Sequence, residues 1–168
     1  MAQSPTVVTI EGWIEDFLAA FENPHFRKAG DHLAANERAM LKLLKFFFLG
    51  KYADVRPEAP VRPKPKSPRF DFLFGRTAVE VVVRSKQARG SLLCGQNQPE
   101  MRKLRKHEGL SVLILIDMAK RRSLYKRHFD DYRAWSPGKG NHILRPINIL
   151  YFYQTKGGAK SNRFNIHV

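Results

Sequence analysis

Apolar residues recur along this chain with two different periods. Over 7–22, "VVTIEGWIEDFLAAFE", Ile10, Trp13, Ile14, Phe17, Leu18 and Phe21 fall on one stripe of a 3.6-residue repeat, which predicts an amphipathic helix. Pro24 and Gly30 break the pattern. Asp31 then caps a second expected helix, whose stripe is Met40, Leu43, Leu44, Phe47 and Phe48 and which reaches about Leu49 before Gly50 ends it. In 56–68, "RPEAPVRPKPKSP", five prolines alternate with Arg56, Arg62, Lys64 and Lys66. Proline lacks the N–H that a helix or a central strand needs, so this stretch reads as an extended cationic loop, either a solvated linker or an arm lying along phosphates.

The period then changes to two. "RFDFLFGRTAVEVVVR", 69–84, alternates as a strand, a tight turn and a second strand. Phe70, Phe72 and Phe74 are expected on one face of the first strand, and Arg69, Asp71 and Leu73 on the other. The same parity puts Ala78, Glu80, Val82 and Arg84 together on the second. After a loop containing Gly90 and Gly95, 97–108 reads as a helix with Pro99 in its first turn. "LSVLILID", 110–117, is a continuous apolar run, the signature of a strand buried on both faces. "RSLYKRHFDDYRAW" predicts a further helix with Phe129 and Tyr132 core-facing. Ile147 to Tyr153 predicts a strand, "TKGGAKSN" a basic turn, and "RFNIHV" a last short strand. This order describes an α/β domain with a mixed sheet.

Composition narrows the function classes. Thirty Lys and Arg against fifteen Asp and Glu give a net charge of +15. A field of that size attracts polyanions, nucleic acid first. No long helix pairs a basic face with a clean apolar one, so a membrane surface ranks lower, and no apolar run is long enough to span a bilayer. The first residues lack the charge and apolar pattern of a signal peptide. Cys94 is the one cysteine, which excludes an intramolecular disulfide and a cysteine-rich zinc site and fits a reducing, cytoplasmic compartment. The six histidines show no ligand spacing, "GKGN" lacks the frame of a P-loop, and no RNP1 or GXXG motif marks an RNA-binding module. Asp130 and Asp131 diverge by about 100° around their helix, a poor geometry for a joint site.

The chemistry concentrates in the hairpin. Asp71 and Glu80 fall side by side on one face of paired strands, where two buried carboxylates are costly unless a cation or neighbouring basic residues share the site. Carboxylate oxygens favour Mg²⁺ or Mn²⁺. Glu37 lies at the edge of the second helix's buried stripe, as a further ligand, a holder of water, or a first-turn glutamate favoured by the helix dipole.

Taken together, "NERAMLKLLKFF", the basic proline-rich segment, "RFDFLFGRTAVEVVVRSK" and "NQPEMRKLRKHEGLSVLILID" resemble the PD-(D/E)XK nuclease superfamily, nearest the archaeal Holliday-junction-resolvase-like branch. The resemblance covers about 34–118. It implies a single domain over 1–168 with a restriction-endonuclease-like αβββαβ core at about 31–118, a central mixed sheet flanked by helices, and extensions at 7–22 and 119–168. It further implies Mg²⁺- or Mn²⁺-dependent hydrolysis of phosphodiester bonds in double-stranded or branched DNA, by a homodimer or within a larger complex. Asp71 and Glu80 match the motif's metal-binding acids and Glu37 the first-helix glutamate. The position of the motif lysine holds Val82. Arg84, Lys86, Arg102 and Lys103 are the candidate replacements for its charge, and Gln98 resembles a glutamine that positions water or phosphate. Arg62, Lys64, Lys66, Arg69, Arg102, Arg105 and Lys106 are the expected nucleic-acid contacts. Loss of the lysine also leaves room for a catalytically inactive DNA-binding module within a larger DNA-processing, transposition or defence system.

Overall fold

A computed structural model of the chain describes residues 3–23, 25, 37–85, 91–119, 125–136, 138, 145–155 and 158–166. The first apolar stripe folds as α1, Val7–Glu22, capped by Thr6, whose hydroxyl accepts the Thr9 N–H at 3.2 Å. The second folds as α2, Glu37–Lys51, burying Met40, Leu44 and Phe48. Asp31, the expected cap, lies outside the described residues. The helix runs through Gly50 instead of ending there. The bond from Tyr52 N–H to Phe48 O (2.8 Å) continues the helical pattern beyond the glycine.

The first part of the proline-rich segment departs from its expected loop, while 61–68 is a loop as expected. Val55–Pro60 forms β1, an edge strand antiparallel to β2 (Arg69–Phe74). Prolines are tolerated in an edge strand and at a strand's end, where Pro60 stands, and the buried Val55 and Ala59 give the strand its apolar anchor. Val61–Pro68 then connects β1 to β2. This connection is closed by Val61 N–H to Pro68 O (2.8 Å) and Arg62 N–H to Ser67 Oγ (3.0 Å).

Gly75 turns β2 into β3 (Thr77–Arg84) at φ +58°, a conformation open to glycine at little cost, and a Cβ there would lie 2.5 Å from Ser4 Oγ. The two strands pair only from Phe74↔Thr77 to Phe72↔Val79. Helix α3 covers Gln98–Leu104, shorter than the expected 97–108, because three-residue bonds from Lys106 to Lys103 O and from His107 to Leu104 O tighten and close it. Strand β4, Leu110–Asp117, returns parallel to β3. Helix α4 (Tyr125–Arg133) leads to β5 (Ile147–Thr155), parallel to β4, and β6 (Gly158–Ile166) closes the sheet antiparallel to β5. Strand β6 takes in most of the expected basic turn, because ladder pairs such as Tyr153↔Lys160 rely on backbone groups regardless of side chain.

The six strands run β1-β2-β3-β4-β5-β6 with cores on both faces. Val79, Val81, Val83, Val112, Ile114 and Ile116 face α1 and α2, while Ala78, Val82, Leu113 and Leu115 face α3 and α4. Strand β4 is therefore buried on both sides, as its apolar run predicts. Phe70 does not share the core of Phe72 and Phe74. The ladder with β3 has ended before it, and it packs in the opposite core with its ring 5.3 Å from that of His107. Among the described residues, no helix is long and apolar enough to cross a membrane.

Candidate active site

The site grows from the place where β2 and β3 part. Beyond Phe72↔Val79, β3 keeps N–H groups that β2 no longer pairs. The Asp71 carboxylate accepts the Val81 N–H at 2.8 Å, and Glu37, reaching over from α2, accepts the Val83 N–H at 3.5 Å. Two acids thus serve the open side of β3.

Glu80 points from β3 toward α3 and is 1% exposed. Lys103 Nζ lies 2.6 Å from its Oε2 and also donates to Arg69 O at 3.0 Å. Among the described residues, the other oxygen, Oε1, is buried without a hydrogen-bond partner. Burial, and then the charge of Asp71, push the Glu80 carboxyl up to about 9, although Lys103 draws it down. Asp71 and Glu37 are also raised, burial being the largest cause, and the β3 N–H groups oppose the rise.

Among the described residues, no group of three or more His, Cys, Asp or Glu side chains is placed to hold a metal ion. Asp71 and Glu80 are therefore the candidate pair. Their chemistry fits Mg²⁺ or Mn²⁺, which binds through one or two carboxylates and keeps waters or phosphate oxygens for the rest. The orphaned Oε1 is the acceptor such an ion would satisfy.

A basic cleft of about 740 Å³, lined by none of the three carboxylates, reaches them through Lys103. Arg62, Lys64, Lys66 and Arg69 form one wall, and Arg102, Lys103 and Lys106 of α3 and its end form the other. Lys103 belongs to both the cleft and the carboxylate pair.

Several expected site residues are placed elsewhere. Arg84 does not face the carboxylates as a spare cation. Its guanidinium grips both oxygens of Asp117, because the parallel register sets the two residues opposite each other. Gln98 Oε1 accepts from Arg102 at 3.0 Å, which ties the amide to the helix surface. Arg105 is not among the residues that line the cleft. Lys86 lies outside the described residues. Val82 is buried in the core, and Lys103 occupies the place beside Glu80.

The sequence reading passes over one polar cluster. Tyr151 OH donates to Asp117 Oδ2 (3.1 Å), and His128 Nδ1 lies 2.9 Å from that hydroxyl. Its only local signal is an acid that ends the apolar run "LSVLILID". Comparison with protein-family models, with curated proteins and with solved structures gave no significant match.

Proposed function

We propose that this chain is a Mg²⁺- or Mn²⁺-dependent DNA endonuclease with a restriction-endonuclease-like core. The observation that carries this reading is the state of Glu80. One oxygen is paired with Lys103, the other is buried and unpartnered, and Asp71 is close enough to raise its pKa. The order α2-β1-β2-β3-α3-β4 supports the core assignment.

Asp71 and Glu80 would hold the ion, which when bound lowers the pKa of its water and stabilises the charge that develops on phosphate. The Val81 N–H orients Asp71, and the Val83 N–H orients Glu37. Lys103 supplies the positive charge that Val82 does not. Arg62, Lys64, Lys66, Arg102 and Lys106 position the phosphate backbone along the cleft. Cutting both strands calls for two such sites, in a homodimer or a larger complex.

One observation favours a second reading, a DNA-binding module without catalysis. Lys103 already pairs with Glu80, so the acid has a partner without any metal.

Incubation of the purified protein with supercoiled plasmid and with branched DNA, in Mg²⁺, Mn²⁺ or EDTA and beside Glu80→Gln, separates the two. Metal-dependent cutting that is lost in the variant supports the nuclease. Binding of equal strength in every buffer, with no cutting, supports the module.

A further inference from the structure

Lys103 carries one charge and stands between two claimants. Buried Met101 and Leu104 anchor the short helix that presents it, and only 16% of its side chain is exposed. Its ammonium has three donors. Glu80 Oε2 takes one at 2.6 Å and Arg69 O another at 3.0 Å. The same side chain lines the basic cleft.

A divalent cation on Glu80 would sit at short range from this ammonium, and like charges in a half-buried site repel strongly. A phosphate in the cleft offers the ammonium an alternative partner without moving the helix. From this geometry we infer that Lys103 is a cationic donor shared between Glu80 and bound phosphate, so that metal binding and DNA binding strengthen each other through it. The inference rests on the reading of Asp71 and Glu80 as cation ligands. Without metal, Lys103 donates to Glu80 Oε2. With metal, it is released to the cleft. Coupling of this kind is reciprocal, so the factor by which metal tightens DNA binding equals the factor by which DNA tightens metal binding.

The test follows Mn²⁺ binding by calorimetry and electron paramagnetic resonance, with no cleavage involved. Lys103→Met removes the competitor and is expected to tighten Mn²⁺ about tenfold, within the usual range of coupling. Lys106→Met removes a charge from the same cleft without touching Glu80 and is expected to leave Mn²⁺ affinity within about twofold, since contact decides the effect. Lys103→Arg, which keeps a cation at the position, is expected to bind Mn²⁺ as the unchanged protein does. Adding a short DNA duplex to the unchanged protein, measured against Glu80→Gln as background, is expected to tighten Mn²⁺. That arm stands even where Lys103→Met fails to fold. Equal Mn²⁺ affinity in Lys103→Met and Lys106→Met, or no effect of duplex, overturns the coupling while Mn²⁺ binding that depends on Glu80 persists. No Mn²⁺ binding in any form overturns both the coupling and the metal reading beneath it.

Discussion

Arg84 and Asp117 stand opposite each other in the parallel register of β3 and β4, and the guanidinium grips both oxygens of a carboxylate that is 1% exposed. Asp117 Oδ1 also accepts the Ala119 N–H at 3.1 Å, and its Oδ2 accepts from Tyr151 OH. The Asp117 hydrogen bonds raise the pKa of Arg84 further, so this cation is committed to the fold. Arg84→Met leaves Asp117 buried without its counter-ion and is expected to cost about 3–5 kcal/mol, read as a lower urea midpoint. Activity per folded molecule is expected to be unchanged. Lost cutting with an unchanged midpoint would instead make Arg84 an active-site residue.

Glu80 is expected to make stability fall as pH rises. Its carboxyl moves from 4.5 in the unfolded chain to about 9 in the fold. Between those values the folded state holds a proton that the unfolded state has released, so stabilisation is full at the acid end and is lost toward the alkaline end. Asp71 and Glu37 act with the same sign. In EDTA, stability is expected to drop between pH 5 and 8, and Glu80→Gln is expected to reduce that drop by on the order of 2 kcal/mol. Urea titrations across the range, with and without the substitution, measure it. A slope that survives in Glu80→Gln assigns the pH dependence to other groups.

Asp71 has a structural duty separable from its chemistry. Asp71→Asn keeps an oxygen to accept the Val81 N–H but loses the charge, whereas Asp71→Ala strands that donor. Stranding a buried donor costs about 1–3 kcal/mol. The asparagine variant is expected to unfold close to the unchanged protein and the alanine variant earlier, with metal-dependent cutting lost in both. Hydrogen exchange at the Val81 amide is expected to speed up in the alanine variant alone.

The cleft wall built from the β1–β2 connection is expected to set the salt response of the proposed DNA binding. Lys64 and Lys66 are exposed there, and the loop closes on its own backbone bonds, so their removal is expected to leave stability within about 0.5 kcal/mol. Each lost phosphate contact shallows the slope of log affinity against log salt by about 0.9, so Lys64→Ala with Lys66→Ala is expected to shallow it by about 2. Lys42→Ala with Lys45→Ala, exposed on α2 away from the cleft, serves as the control and is expected to change the slope little. Equal slopes for the two pairs would place the DNA elsewhere.

Some of this site was legible before any fold was known. Parity alone puts Glu80 on the face of Ala78 and Val82, and that is the face where α3 lies. The helical repeat places Glu37 at the edge of the stripe of Met40 and Leu44, from which it reaches Val83. Phe70 shows where parity stops working. Alternation holds only while the ladders on both sides stay regular, and here the ladder with β3 ends at Phe72 while the ladder with β1 skips Asp71, opposite Glu58 at φ 51°.

By itself, then, the sequence determined what depends on neighbours along the chain. The helical stripes, the alternating hairpin, the double-sided burial of 110–117 and the excess of positive charge all follow from local period and composition. The tertiary structure decided every pairing between distant charges. Lys103 meets Glu80 across 23 residues and Arg84 meets Asp117 across 33. Both depend on how the crossover through α3 seats β4 against β3, which burial of the two apolar faces sets jointly. It also decided that the first part of the proline-rich segment would be a strand, because an edge position tolerates proline. Local sequence states which groups are charged; only the packed sheet assigns each charge its partner.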